Sequence, residues 1–348
     1  MSNLQIGLAI AGGVVLAAVV AHGAWNSRRK APRQAKPEPM GANATPTTQR
    51  EPSLDGDMGL DAPPMPIPPL ARRSAMDSLI DVIATIALDG PNTMVSGEAA
   101  IAAMPSTRRA GTKPYAIEGY NLSTLNWEVP VAGQRYGGFQ AGVQLANRSG
   151  ALNEIEYSEY VVKTQAFADA INATPEFPEM LEEVARAREL DQFASAHDAQ
   201  LGFTIRARDA SWSPGYVQQN AAHLGFVAGS IPGRMVLPAS APGLAPVLVL
   251  SFDSQAALAE DPAQSAIRDL ALHLDVAQVD RNEQPFNRMR EVAVALSQAM
   301  DGVVTDDNGQ PLTSATMDVI GAELQGLYDT LEQRDLAAGS LLARRLFA

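Results

Sequence analysis

The longest run of apolar positions lies at the start of the chain. Residues 4–25 carry no ionised side chain, and the basic cluster Arg28, Arg29 and Lys30 follows at once. A run of this length matches the roughly 30 Å hydrocarbon core of a bilayer as one helix. Because Lys and Arg collect on the cytoplasmic side, the pattern predicts a single-pass membrane anchor over residues 1–27, with the N-terminus outside, Trp25 at the interface and the rest of the chain in the cytoplasm.

A cleaved signal peptide is the alternative interpretation of this run. The pattern disfavours it, because no basic residue precedes the run and because the run is longer than the roughly 7–15 apolar residues of a signal core. The lipid bilayer is therefore the first partner that the sequence predicts.

The next segment, residues 28–75, begins with the basic cluster and then becomes rich in proline. Residues 31–75 hold ten of the 24 prolines and few large apolar side chains. Such a segment cannot build a hydrophobic core, so the pattern predicts a disordered linker. A short proline-rich segment can also serve as a ligand for an SH3-like domain.

From residue 79 onward the pattern changes to short apolar strands and amphipathic helices. Over residues 76–197 it predicts an α+β region, with strands at 79–88, 115–121 and 139–147 and helices at 96–104, 155–171 and 177–194. Over residues 198–348 it predicts strands at 201–207, 226–237, 247–252, 270–276 and 302–305, and helices at 213–224, 285–300 and from 314 onward.

The two regions look like copies of one another. A shift of 129 residues places Tyr157, Tyr160, Phe167 and Ile171 on Phe286, Met289, Leu296 and Met300, which are apolar positions matched to apolar positions. The predicted strands and helices follow the same order in both regions. The sequence therefore predicts that residues 76–197 are a diverged repeat of residues 198–348. Helices on one face of a mainly antiparallel sheet give an α+β fold.

Charge and composition exclude several functions. The chain has no cysteine, which excludes disulfides and thiolate chemistry. The net charge of the whole chain is −13. Residues 1–75 carry a net charge of +3, so residues 76–348 carry a net charge of −16. A surface of that sign repels nucleic acid phosphates, so no nucleic acid partner is expected.

No catalytic or metal-binding pattern emerges from the remaining residues. His197, His223 and His273 are far apart in sequence, without the spacing of metal ligands. The acidic residues 306–309 fail the twelve-residue calcium-loop pattern, and a tight Asn-Gly turn explains them better. We therefore expect no enzyme, no metal and no cofactor.

Two stretches resemble the ZipA family of bacterial division proteins. They are residues 21–30, AHGAWNSRRK, and residues 286–307 followed by PLTS at 311–314. The order of anchor, proline-rich linker and C-terminal domain is similar as well. The resemblance implies that residues 198–348 form a split β-α-β domain, whose exposed sheet face is a shallow groove for the C-terminal peptide of FtsZ.

Matching strands by pattern places six residues on that groove: Gly202, Thr204, Ile231, Phe252, Ala271 and His273. The alternation of Leu270, Leu272 and Leu274 independently points His273 away from the core. For Phe252, a core position on the opposite face is the alternative.

The expected function is that of a membrane-anchored adaptor that binds FtsZ and tethers or stabilises the Z ring at the inner membrane. Other divisome proteins are possible further partners. The alternatives are an envelope scaffold for another division or cell-wall protein, and a tethered enzyme or small-molecule-sensing domain. Competition by an FtsZ tail peptide separates the adaptor from the scaffold.

Overall fold

The computed structural model describes residues 32–35, 76–90, 93–261 and 265–348. These residues form two compact units. The first unit comprises residues 76–197 together with 345–348, and the second comprises residues 32–35 and 198–344. Both units combine antiparallel sheet with helices, so the prediction of an α+β architecture is confirmed.

The predicted anchor over residues 1–27 and its flank of Trp25, Arg28, Arg29 and Lys30 lie outside the described residues. In the part of the chain that the structure describes, no helix combines the length and the apolar character needed to cross a bilayer. The anchor stays a prediction from the sequence.

The first unit is built on a seven-stranded antiparallel sheet with the order β3-β4-β6-β1-β9, to which β2 and β5 add at β6 and β4. Its strands are β1 (Asp81–Leu88), β2 (Val95–Ser96), β3 (Arg109–Ala110), β4 (Lys113–Asn121), β5 (Asn126–Glu128), β6 (Arg135–Gln144) and β9 (Ala173–Glu176), and a separate hairpin joins β7 (Ala146–Asn147) to β8 (Gly150–Ala151). Its helices are α1 (Gly97–Ala103), α2 (Glu154–Ala170) and α3 (Met180–His197).

The second unit is built on a six-stranded antiparallel sheet with the order β11-β12-β13-β14-β10-β15. Its strands are β10 (Gln200–Ala207), β11 (Val227–Ala228), β12 (Arg234–Leu237), β13 (Leu248–Ser251), β14 (Asp269–Asp275) and β15 (Gly302–Thr305). Its helices are α4 (Pro214–His223), α5 (Ser254–Ala257), α6 (Pro285–Met300) and α7 (Ser314–Gln333), and α8 (Leu341–Leu346) ends the chain.

Local signals explain where several helices begin. The hydroxyl of Ser96 accepts a hydrogen bond from the Ala99 N–H, and that of Ser213 accepts one from the Tyr216 N–H. Both serines therefore cap the helices that follow them, α1 and α4. The strand predicted over 226–237 is instead interrupted, because residues 229–233 form a turn in which the Arg234 N–H donates to the Ile231 carbonyl.

The two units share one topology. In the first, β1 lies between β6 and β9, which precede and follow the long helix α2. In the second, β10 lies between β14 and β15, which flank α6 in the same way. This is the split β-α-β arrangement, and it occurs twice in the same strand order. The buried aromatic and apolar positions of α2 and α6 correspond at the 129-residue shift.

The core of the second unit lies between its sheet and α6, which contacts β10, β14 and β15. The ring of Phe203 on β10 packs edge-on against Phe286 on α6, with 6.2 Å between ring centroids. Leu270, Leu272 and Leu274 of β14 point to this side and are at most 1% exposed. The remaining side chains of these strands therefore form an outer face.

Residues 32–35 lie within the predicted linker, yet they pair with the second unit. Arg33 forms a parallel bridge with Trp212, which in turn forms an antiparallel bridge with Ile267. A short ladder therefore connects this segment to the residues just before α4.

Candidate functional site

The outer face of the second sheet carries a row of mostly apolar side chains that crosses five strands. Val227 pairs with Val236, Val236 with Val249, Val249 with His273, and His273 with Gly202. Directly paired residues on neighbouring strands point to the same face, so these five residues form one row on the outer face. Val227 is 50% exposed, and Val236 and Val249 are half-buried. We call this set the valine row.

A second, more polar row runs beside the valine row. Arg234 pairs with Ser251, Ser251 with Ala271, Ala271 with Thr204, and Thr204 with Thr305. The Thr305 hydroxyl donates to the Thr204 carbonyl at 3.3 Å, so part of this row is already satisfied internally. We call this set the polar row, and together the two rows form a shallow platform.

An ion pair borders the platform beyond the polar row. Arg206 and Asp269 pair across β10 and β14, and the Arg206 Nε lies 2.7 Å from the Asp269 carboxylate. Both side chains are about half exposed, and the hydrogen bond to Asp269 raises the pKa of Arg206. The platform is therefore apolar toward the valine row and charged at this end.

Four of the six groove residues that the sequence predicts lie together on the platform. They are Gly202, Thr204, Ala271 and His273. Ile231 lies in the turn before β12 and is 53% exposed. Phe252 is only 9% exposed and follows the alternation of Leu248 and Leu250, so it lies on the core side of the sheet. For Phe252 the structure therefore favours the core position over the groove.

Sequence reasoning missed Val227, Val236 and Val249, which are the apolar side chains of the valine row. The run 247–252 is almost wholly apolar, so its alternation alone could not say which residues face outward. The register with β14 decides it, because Val249 pairs with the outward-facing His273.

Gly202 lies next to two polar side chains, His273 of the valine row and Asp307 beside the platform. A Cβ atom at Gly202 would lie 3.4 Å from the Asp307 carboxylate and 3.6 Å from the His273 ring nitrogen Nδ1. Asp307 belongs to the turn after β15, where Gly309 has φ +78° and the Asp306 carboxylate accepts from the Asn308 N–H. The tight turn predicted for residues 306–309 is thus present and brings an acid next to Gly202.

The equivalent face of the first unit is different. Ile83, Gly142 and Ala116 form the corresponding row, and Met76 packs onto it, with its sulfur 2.7 Å from where a Cβ of Gly142 would lie. In the next row, Glu118 is 2% exposed and accepts a hydrogen bond from Gln140 at 2.9 Å. Met76 therefore covers one row of this face and the next row holds a buried carboxylate, so the face is less suited to apolar side chains.

Several titratable groups of the second unit form ion pairs with one another. A cavity of about 490 Å³ lies at the start of α6, lined by Arg281, Arg290, Asp318 and Tyr328 among others. The Arg290 guanidinium pairs with Asp318 at 2.5 Å. Burial raises the pKa of Tyr328 to about 12, so its hydroxyl stays protonated at neutral pH. In the described ranges, no group of three or more candidate side chains could hold a metal ion.

Residues 255–323 match the family model described as ZipA, C-terminal FtsZ-binding domain. The match begins in α5 and covers β14, α6, β15 and the first half of α7. This stretch of the second unit is similar to the ZipA family. The resemblance seen in the sequence is confirmed over these residues, and the matched model is that of an FtsZ-binding domain.

Other comparisons add little to the ZipA assignment. No curated protein sequence matches the chain. A matching solved structure, the berberine bridge enzyme from Eschscholzia californica, is 9% identical, and the match covers 77% of this chain and 54% of that chain with a TM-score of 0.17. At this TM-score the match supports no argument about fold or activity. The ZipA family is one of FtsZ-binding division proteins and not of enzymes.

Proposed function

We propose that this protein is a membrane-anchored adaptor that binds the C-terminal peptide of FtsZ and tethers the Z ring at the inner membrane. The observation that carries the proposal is the ZipA match over residues 255–323, which includes the β14-α6-β15 unit that supports the platform. The apolar run at residues 4–25 supports the anchoring half of the proposal.

The platform has the properties of a docking site for a short apolar peptide. Val227, Val236 and Val249 form a continuous apolar strip on a sheet face, and His273 and Gly202 complete it. Full burial of a valine side chain contributes roughly 1.5–3 kcal/mol, and ordering the peptide offsets much of that sum. A shallow platform of this size therefore binds a single peptide weakly.

Weak binding suits a polymer partner. A polymer of FtsZ presents many copies of its tail, and several anchored adaptors engage it at once, so the combined attachment is much stronger than one contact. The adaptor needs no chemical step, because its function lies in two linked attachments.

The second unit is the better candidate for the peptide site. Its valine row is open at Val227 and Val249, whereas Met76 covers the equivalent row of the first unit at Gly142. The buried Glu118 also makes the first-unit face unfavourable for apolar side chains.

Sedimentation of FtsZ polymers with vesicles that carry the full chain tests the adaptor role. We expect polymers to sediment with these vesicles and to be displaced by excess FtsZ tail peptide. A chain lacking residues 1–30 serves as the control and should bind polymers without carrying them to vesicles. Equal recruitment by the truncated chain would contradict the anchor, and recruitment that resists the tail peptide would favour a scaffold for another division or cell-wall protein.

A further inference from the structure

Arg33 is held by the second unit through both its backbone and its side chain. Its N–H donates to the Ser211 carbonyl at 2.7 Å, and its carbonyl accepts from the Ser213 N–H at 2.9 Å. Its guanidinium lies 2.8 Å from the Asp301 carboxylate and donates to the Met300 carbonyl at 3.2 Å. Four polar contacts from one residue define a docking site for an extended segment.

The side chain of Arg33 docks at the C-terminus of helix α6. Met300 is its last residue, and its carbonyl also accepts from the indole N–H of the fully buried Trp212 at 2.8 Å. A cation near a helix C-terminus is favourable, because the last carbonyls have no partner within the helix. Arg33 supplies such a cation, and Asp301 adds an opposite charge beside it.

The backbone half of the site is equally specific. Ser213 caps α4 with its hydroxyl while its N–H donates to Arg33, so one residue orders both the helix and the docked segment. Trp212 pairs with Ile267 on its other side, and residues 32–35 therefore extend an existing ladder instead of starting a new one.

The first unit does not repeat the charged part of this site. At the 129-residue shift, Asn172 stands where the second unit has Asp301, and both residues have the same left-handed backbone conformation. The fold therefore requires the conformation, whereas the carboxylate is particular to the unit that receives Arg33.

We propose that residues 32–35 are a docking strand that holds the second unit close to the bilayer. The closeness to the bilayer rests on the proposed anchor, whereas the docking of residues 32–35 does not. Arg33 follows Trp25 by eight residues, so the unit is held within about 28 Å of the helix end even if the intervening chain is fully extended. The forty residues from 36 to 75 then lie between the docking strand and the first unit in sequence.

Hydrogen exchange on the full chain in lipid nanodiscs tests the docking strand. We expect the amides of Arg33 and Ser213 to exchange at least tenfold more slowly than amides of residues 40–60. Arg33→Gln and Asp301→Asn should each abolish most of this protection, and the double variant should lose little more, because the two groups act on each other. Asp301→Asn keeps a residue that tolerates the left-handed conformation.

Matched controls are available for both variants. Arg50→Gln removes another linker arginine, and Asp335→Asn changes another aspartate with positive φ, at +57°. Neither should change the exchange of Arg33 or Ser213. Unprotected exchange at these two amides in the unaltered chain would overturn the docking strand.

A distance measurement separates this inference from the anchor. Because the chain has no cysteine, Glu291→Cys on the exposed side of α6 allows a single fluorophore to be attached. We expect energy transfer to acceptor-labelled lipid to be high and to fall in Arg33→Gln and Asp301→Asn. Protected amides without energy transfer would keep the docking strand and contradict the anchor. Energy transfer unchanged by both variants would contradict the docking strand as the positioning element.

Discussion

Asn172 and Asp301 occupy the same place in their two units. Each follows the last residues of a long central helix, each has a left-handed backbone with φ of +53° and +55°, and they are 129 residues apart. The chain then enters the strand that pairs with the first strand of its unit, β9 or β15. The shared backbone turn is therefore what returns each helix to its sheet.

Alanine at these two positions should destabilise the unit concerned. Asn and Asp tolerate the left-handed region, whereas most side chains pay about 1–2 kcal/mol there. We expect Asn172→Ala to cost about 1 kcal/mol of the free energy of unfolding and Asp301→Ala to cost more, because it also removes the partner of Arg33. Urea unfolding measures both. Glycine at position 172 is the control and should cost less than alanine, so equal losses for the two would contradict this account.

Phe252→Ala should affect stability and not peptide binding. The side chain is 9% exposed on the core side, and truncation of a buried phenylalanine costs roughly 3–5 kcal/mol. We expect the urea midpoint of the second unit to fall while the folded protein keeps its affinity for FtsZ tail peptide within about twofold. A loss of affinity without a loss of stability would return Phe252 to the groove.

Removal of Arg345 should destabilise the first unit in a pH-dependent way. Asp81 is 2% exposed, and Arg345 donates to its carboxylate at 2.9 Å. Burial raises the pKa of Asp81 above 3.8, and Arg345 opposes this rise. The pKa of Asp81 is therefore higher in the folded protein than in the unfolded chain. Protonation of Asp81 stabilises the fold fully when the pH is below the pKa of the unfolded chain, and this stabilisation is lost as the pH rises through the pKa of the folded protein.

Without Arg345 the pKa of Asp81 should rise further, and an uncompensated buried charge costs about 3 kcal/mol at neutral pH. We expect Arg345→Gln to lower the free energy of unfolding strongly at pH 7 and much less at pH 4. Arg188→Gln, which breaks an exposed pair with Glu154, is the matched control and should have little effect. An equal loss for Arg345→Gln at both pH values would contradict the assignment.

Strong local signals made much of the second unit predictable from the sequence. The alternation around Leu270, Leu272 and Leu274 placed His273 on the outer face, and the structure agrees. Helix α6 and strand β15 also have their predicted bounds, because proline and the apolar period mark the start of the helix and its end is followed at once by Gly302.

The rest depended on pairings between distant residues. The facing of Val249 and Phe252 follows from the register of β13 against β14, which the apolar run 247–252 does not encode locally. Likewise, nothing around Arg33 distinguishes it from other linker arginines, and only its partners Ser211 and Asp301 show that it is docked. Local periodicity in the sequence does not encode contacts between residues that are far apart along the chain.

The most direct test of the peptide site is a titration of the full chain with a peptide that matches the C-terminus of FtsZ. Val249→Asp places a charge in the middle of the valine row, and Thr85→Asp places one at an exposed position on the equivalent face of the first unit. We expect Val249→Asp to weaken binding at least tenfold, about 1.4 kcal/mol, and Thr85→Asp to leave it unchanged. Unaltered binding by Val249→Asp together with lost binding by Thr85→Asp would contradict the account and move the site to the first unit.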